Sequence, residues 1–336
     1  MSDLDDVISM VRGAWVTLCV RAACELGVVD ALDQPKSLAT LAGQTSSDAA
    51  TLARLLRVLV DLGLLSVADG RYETTSRGEL LRSGDPSGVR NLALMQTVLP
   101  ALTAWQHLAD AVRSGTSVYE DLHGQSSWAW LAEHPEEEIV FNAAMARRGA
   151  FQVEAVLAAH DLSGASLLID VGGGQGSMLA GLLGRVPSLH GVVADRPEVA
   201  AAATAAFARA GWGDRARGEP VDFFAALPHG GDVYVLSNVI HDWDDDEAIA
   251  ILRTVHAAMS PEATLLLVEN VLDTPGRSAA HQRDVHLVDL HMLVMFGARE
   301  RTKAEYDGLV VTAGFTPSTL APSPNTWNVL TTRPAT

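Results

Sequence analysis

The residues of this chain best able to do chemistry stand where apolar runs end. His241 closes the run Val233-Tyr-Val-Leu-Ser-Asn-Val-Ile240. If that run is a strand of a parallel sheet, His241 projects from the carboxyl edge, where such sheets bind ligands. An imidazole there is suited to accept a proton from a hydroxyl of pKa about 10, a group scarcely ionised at neutral pH. A histidine at a strand end can equally be a structural hydrogen-bonding residue, and both readings stand at this point. The acids that follow, Asp242, Asp244, Asp245, Asp246 and Glu247, suit the positive end of a helix and for the most part need no catalytic role.

A second constellation lies upstream, in Asp170-Val171-Gly172-Gly173-Gly174-Gln175-Gly176. Glycines between a strand and a helix let the backbone turn sharply and approach a ligand closely. The spacing differs from the G-x-G-x-x-G of a dinucleotide site, and Asp170 stands where a carboxylate can meet a ligand ammonium, directly or through water. S-adenosylmethionine has such an ammonium and no pyrophosphate. Asp195, at the end of the next apolar run, is placed for ribose hydroxyls, a position that dehydrogenases and methyltransferases share. Asp222 can approach an adenine amino group with Phe223 against the ring; its alternative is an ordinary turn aspartate.

Alternating elements must position these residues. Apolar strands are expected at residues 167–171, 191–194, 233–239 and 264–269, with a short one before Asp222. Helices are expected at 177–185, 198–210 and 244–259, and a final antiparallel strand pair at 315–320 and 327–331. This predicts an α/β domain with a mostly parallel sheet and helices on both faces, over residues 161–336. Residues 96–160 read as connecting helices that contribute to a substrate pocket. Phe141 and Met145 there are either core or the lid of that pocket. Residues 1–95 read as helix-turn-helix plus hairpin, a winged-helix pattern. Its longer helix has Thr45, Ser46 and Ser47 as cap candidates, and strands are expected at 64–67 and 71–75.

A winged helix raises DNA binding, but charge opposes it. The net charge is −17, acids outnumber bases within residues 1–95, and the second helix is leucine-rich with only Arg54 and Arg57. No nucleic-acid partner is expected. No apolar run is long enough to span a membrane. The acidic N-terminus lacks the basic-then-apolar order of a secretory signal, so a cytoplasmic protein is expected. The two cysteines, Cys19 and Cys24, read as reduced thiols in an apolar segment.

Four segments in this order, LLIDVGGGQGSMLAGLL, VVADRPEV, VYVLSNVIHDWDDDEAIAILRTV, and LLLVENVLD with DLHMLVMFGARERTKAEYDGLVVTAGF, resemble the homodimeric S-adenosylmethionine-dependent small-molecule O-methyltransferases. These are the plant caffeic acid and flavonoid enzymes and their bacterial natural-product relatives. The resemblance spans nearly the whole chain. It implies a winged-helix dimerisation domain, a Rossmann-like catalytic domain and a homodimer. The implied substrate is a small aromatic acceptor, methylated on a phenolic hydroxyl. Carried over, Gly172, Asp195, Asp222 and Phe223 would contact the cofactor, beside Asp170 and Gly174 of the glycine turn. Ser237 stands where the plant enzymes usually have lysine. His241 would be the base, with Glu269 and Glu300 orienting it. Met292 and Phe296 would line the acceptor pocket, with Asn238 and Asp242 nearby; Phe296 replaces an asparagine common in the phenylpropanoid enzymes. The family needs no metal, and none is expected. His281, His286 and His291 recur every five residues and do not share a helical face. The same fold also supports N- or C-methylation and cofactor-assisted hydroxylation or decarboxylation, and a ligand-sensing winged-helix regulator is the reading outside enzymes.

Overall fold

The computed structural model describes residues 2–323 and 325–335. Its contacts divide the chain into two units: residues up to Thr103 with Trp128–Arg147, and Ala104–Ser127 with everything from Arg148 onward. The segment 96–160 is therefore divided between them.

The first unit is helical with a small wing. Helices Leu38–Gln44 and Ala49–Asp61 precede a hairpin of Leu65–Ala68 and Arg71–Thr74. The hairpin turn is two residues, Asp69 and Gly70, both with positive φ (51° and 72°), as a mirror-image turn requires. The second helix is not capped by Thr45, Ser46 or Ser47. Asp48 caps it, accepting from Thr51 N–H. Ser46 is left-handed at φ 52°, and Thr45 is spent on the preceding helix through Leu41 O. Asp48 is thus the residue with extended backbone that a cap needs. Leu41, Leu52, Leu56, Leu59 and Leu65 form the core of this unit. The first helices, Asp3–Val11 and Gly13–Glu25, instead expose Leu4, Val7, Met10, Val11 and Trp15. Among the described residues, no single helix is long and apolar enough to cross a membrane; these two pass that test only as a pair bent by 48°.

The second unit is built on a seven-stranded sheet. Its strands are β1 (Leu167–Val171), β2 (His190–Asp195), β3 (Ala216–Pro220), β4 (Val233–Ser237), β5 (Thr264–Glu269), β6 (Thr319–Ala321) and β7 (Asn328–Thr332). The order is β6-β7-β5-β4-β1-β2-β3. Neighbours from β5 through β3 are parallel, while β7 is antiparallel to both β5 and β6. Buried strands such as Leu-Leu-Leu-Val in β5 are apolar on both faces because helices cover both. This is a Rossmann-like α/β domain preceded by a winged-helix unit.

The end of β4 and the starts of the two final strands differ from expectation. Strand β4 stops at Ser237 rather than continuing to 239, because Asn238 takes φ 54° and Ile240–Asp242 forms a 3-10 turn. The final strands begin later than 315 and 327: Phe315 makes only an isolated bridge to Pro334.

The close seat of helix Pro197–Arg209 on β3 depends on Gly218. A Cβ there would fall 1.9 Å from the Ala200 carbonyl oxygen, and Gly218 N–H donates to Thr204 Oγ1 at 2.8 Å. Gly218→Ala must push backbone away from backbone. Urea unfolding should show a loss of about 1–3 kcal/mol, as overpacking costs; unchanged stability would show that the helix shifts freely.

Candidate active site

The turn after β4 carries the central side chain. His241 is 5% exposed. Its Nδ1 lies 3.2 Å from Glu300 Oε1 and 3.8 Å from Glu269 Oε2, and its Nε2 lies 3.5 Å from Asp242 Oδ1. With carboxylates as partners, Nδ1 carries the proton and donates, which leaves Nε2 of the neutral ring as the basic atom. Glu269 ends β5 beside β4, and its Oε1 accepts from Val239 N–H and Ile240 N–H at 3.3 and 3.1 Å. Glu300 Oε1 also accepts from Asn270 Nδ2 at 3.4 Å. Asp289 Oδ1 accepts from Glu300 N–H at 2.8 Å and so anchors its backbone.

Burial by itself would lower the imidazole pKa. The Glu269 charge, the Glu300 hydrogen bond and charge, and the Asp242 charge outweigh it and raise His241 to about 9. Burial pushes Glu269 up to about 8, against the lowering effect of the His241 charge. His241 and Glu269 therefore each hold a proton more tightly than they would in water.

Glu300, between two arginines, does not form a surface ion pair with either. Arg299 and Arg301 both turn to Asp245, and Glu300 points inward at 2% exposure. Arg301 is a residue that motif reasoning missed. It is fully buried and donates to Ile240 O at 2.8 Å and Trp243 O at 2.7 Å. Its signal was its place beside Glu300, opposite an acid-rich turn. Asn270 and Trp243 were missed as well; neither stands out by type or spacing.

The glycine turn lies one strand away, since β1 pairs with β4. Gly172, Gly174 and Gly176 all have positive φ (69°, 59° and 76°). A Cβ on Gly172 would come 2.8 Å from Val239 Cγ2 and 3.9 Å from Phe223 Cε1, so this glycine faces the turn that carries His241 and the Phe223 ring together. A Cβ on Gly176 would strike Phe207 at 2.3 Å. Asp195 braces the turn: Oδ2 accepts from Gly174 N–H at 3.0 Å and Oδ1 from Arg196 N–H at 2.7 Å. Asp170 lies beneath Gly173 with both oxygens buried and without a hydrogen-bond partner. Burial, then the Asp195 charge, raise it to about 7. Asp222 is exposed and accepts from Phe224 N–H at 2.9 Å. Phe223 and Phe224 meet the Trp243 ring edge-on at 5.8 and 4.9 Å. Ser237 Oγ and Asn238 Oδ1 are buried atoms without a partner. Orphaned oxygens around a glycine cradle with an aromatic wall fit a cationic nucleoside ligand.

Of the residues expected near the acceptor, Met292 is buried in helix Ala279–Phe296, while Phe296 is half-buried with its ring edge-on to His291 at 6.3 Å. His291 Nδ1 accepts from Trp105 Nε1 at 3.1 Å, and His286 faces Asp273 at 3.5 Å. Phe141 and Met145 are half-buried in the first unit, where Phe141 meets Trp128 edge-on. His241, Glu269 and Glu300 lie within 4.8 Å of one another, a spacing that a divalent cation could also use. The Nδ1–Glu300 hydrogen bond and the backbone N–H groups on Glu269 use that proximity to orient the ring.

Residues 105–316 match the O-methyltransferase domain, and residues 8–84 the O-methyltransferase dimerisation domain. The chain is 37% identical to phenazine O-methyltransferase PhzM of Lysobacter antibioticus, over 98% of this chain and 95% of that protein. It is 35% identical to the mitomycin biosynthesis 6-O-methyltransferase of Streptomyces lavendulae, over 92% and 88%. It matches the structure of human N-acetylserotonin methyltransferase in complex with SAM at TM-score 0.87 and 27% identity, over 100% of this chain and 99% of that one. Two further relatives are named for other chemistry. One is the 8-amino-8-demethylriboflavin N,N-dimethyltransferase of Streptomyces davaonensis (34%, over 95% and 92%). The other is the aclacinomycin 10-hydroxylase RdmB of Streptomyces purpurascens (34%, over 93% and 84%).

Asp195 braces the glycine turn and is the residue expected to meet the cofactor ribose, so its loss should be felt in the cofactor product complex. Calorimetry on Asp195→Ala should show S-adenosylhomocysteine affinity reduced by ~1.5–3 kcal/mol, the worth of charge-assisted hydrogen bonds. Wild-type affinity would remove Asp195 from the cofactor site.

Proposed function

Because the chain belongs to the O-methyltransferase family and its cofactor is S-adenosylmethionine, we propose that it methylates a phenolic hydroxyl of a small aromatic natural-product acceptor, with His241 as general base and without a metal ion. The carrying observation is the buried imidazole at the carboxyl edge of the sheet, its Nδ1 committed to Glu300 at 3.2 Å. The cofactor supplies a methyl group already activated on a sulfonium. The protein's share is to place the acceptor oxygen in line and to take its proton.

In this reading Nε2 of His241 receives the phenolic proton. Glu300 fixes the tautomer, and Glu269, fully buried, stabilises the imidazolium. Asp170, Gly172, Gly174, Asp195, Asp222, Phe223 and Ser237 form the cofactor side. Asn238, Asp242, Met292 and Phe296 form the acceptor side. The dimethyltransferase and hydroxylase relatives show that the family's chemistry is broader, but an amine or carbon acceptor has less need of a base held by two carboxylates.

The first helices, with their exposed Leu4, Val7, Met10, Val11 and Trp15, fall largely within the matched dimerisation domain, which supports a homodimer. Light scattering should give twice the 35.6 kDa chain mass; a monomer at micromolar concentration would contradict it.

The base reading has a definite pH signature. Only neutral His241 accepts a proton, and its neighbours hold its own proton up to about 9. Activity with an ordinary phenol should therefore rise from pH 6 towards 9. His241→Ala should lose ~10²–10⁴ in turnover at neutral pH while keeping S-adenosylhomocysteine affinity. The defect should shrink as pH approaches the phenol pKa. Wild-type turnover by His241→Ala at neutral pH, on a phenol of ordinary pKa, would show that positioning alone drives the reaction.

A further inference from the structure

We propose that Arg301 and Asp245 form a strut that positions His241, an inference that rests on the reading of His241 as the base. The strut works on the backbone of the turn. Arg301 donates to Ile240 O on one side of His241 and to Trp243 O on the other, at 2.8 and 2.7 Å. Between those carbonyls, His241 O accepts from Arg299 N–H at 3.1 Å. Glu300, lying between the two arginines in sequence, sends its carboxylate to His241 Nδ1. One strip of chain thus carries the carboxylate and grips the turn that carries the imidazole. Their separation is set by backbone anchors, not by the rotamers of His241 and Glu300 alone.

Asp245 completes the grip from outside. Its side chain is 54% exposed, whereas that of Arg301 is fully buried. Asp245 Oδ1 accepts from Arg301 Nη2 at 2.8 Å and Nε at 3.1 Å, and the carboxylate takes Arg299 Nη2 at 2.8 and 2.9 Å. The helix Asp245–Ala258 does not need this acid for its start, since Asp244 caps it through Glu247 N–H. A guanidinium is a rigid planar fork that can span two carbonyls and a carboxylate; an ammonium of similar charge cannot hold all three directions at once.

The consequence is distinctive because Asp245 reaches the turn through Arg299 and Arg301 and is none of the residues assigned to cofactor or acceptor. If the turn loosens, the imidazole drifts from the groups that face it: Glu269 on β5, Glu300 on the strip, and Asp242 on the turn itself. Misplacement of a reacting group by about 1 Å can cost about 10²-fold in rate, and an imidazole farther from its carboxylates gives up its proton at lower pH.

The test compares Asp245→Ala, Arg301→Lys and His241→Ala in the full-length protein, reading kcat, acceptor KM, S-adenosylhomocysteine affinity and the acidic limb of the pH profile. Arg301→Lys should lose up to about 10²-fold in kcat, and Asp245→Ala a smaller factor. Both should keep KM and cofactor affinity, and both should show the acidic limb moved to lower pH. Asp245→Ala, at the surface, keeps the test decisive if Arg301→Lys fails to fold. Unchanged kcat and limb in Asp245→Ala would overturn the strut. So would a fall in kcat that follows thermal stability with the limb unmoved, which is a merely structural effect. If His241→Ala itself keeps full turnover, the base reading fails first and takes the strut with it.

Discussion

Three ionisable side chains, His241, Glu269 and Glu300, are withdrawn from water together, at 5%, 0% and 2% exposure. Removing an ion from water costs several kcal/mol unless other charges and hydrogen bonds replace the solvent. Here they do so in part. The imidazole faces both carboxylates, Glu269 receives two backbone N–H groups, and Glu300 receives Asn270. One oxygen on each glutamate has no hydrogen-bond partner. The cluster is therefore held in place by the surrounding fold, and the fold is arranged to hold it.

That arrangement follows from parallel strands ending along one edge. β1, β4 and β5 are successive neighbours, so the glycine turn after β1, the histidine turn after β4 and Glu269 at the end of β5 converge without long-range coincidence. Gly172 lacks a side chain where Val239 approaches within 2.8 Å of its missing Cβ. Trp243 continues the turn into the Phe223–Phe224 aromatic wall. The aromatic wall and the buried imidazole meet on a single short turn, whose backbone carbonyls are held by Arg299 and Arg301.

Much of this was legible in the chain itself. Apolar runs ending in Asp170, His241 and Glu269 announce a parallel sheet with its chemistry at one edge, because only strands buried on both faces read as continuous apolar segments. The glycine turn was legible because three positions need positive φ. Less legible was anything decided by partners distant in sequence. Arg299 and Arg301 flank Glu300 in sequence, yet both find Asp245, more than fifty positions upstream. Asp48 caps its helix instead of the hydroxyls just before it, because a left-handed Ser46 ends the previous helix first. The end of β4 depended on the positive φ of Asn238, which no periodicity reveals.

The central claim is that two buried carboxylates hold the His241 proton more tightly than water does. It is tested most directly by an NMR pH titration of the His241 imidazole in the full-length protein saturated with S-adenosylhomocysteine, beside the same titration in Glu300→Gln. The account predicts a wild-type midpoint well above the ordinary value of about 6.5, towards the 9 that the geometry supports, and a clear fall in the variant. A wild-type midpoint at or below the ordinary value, or one that Glu300→Gln leaves in place, would contradict it.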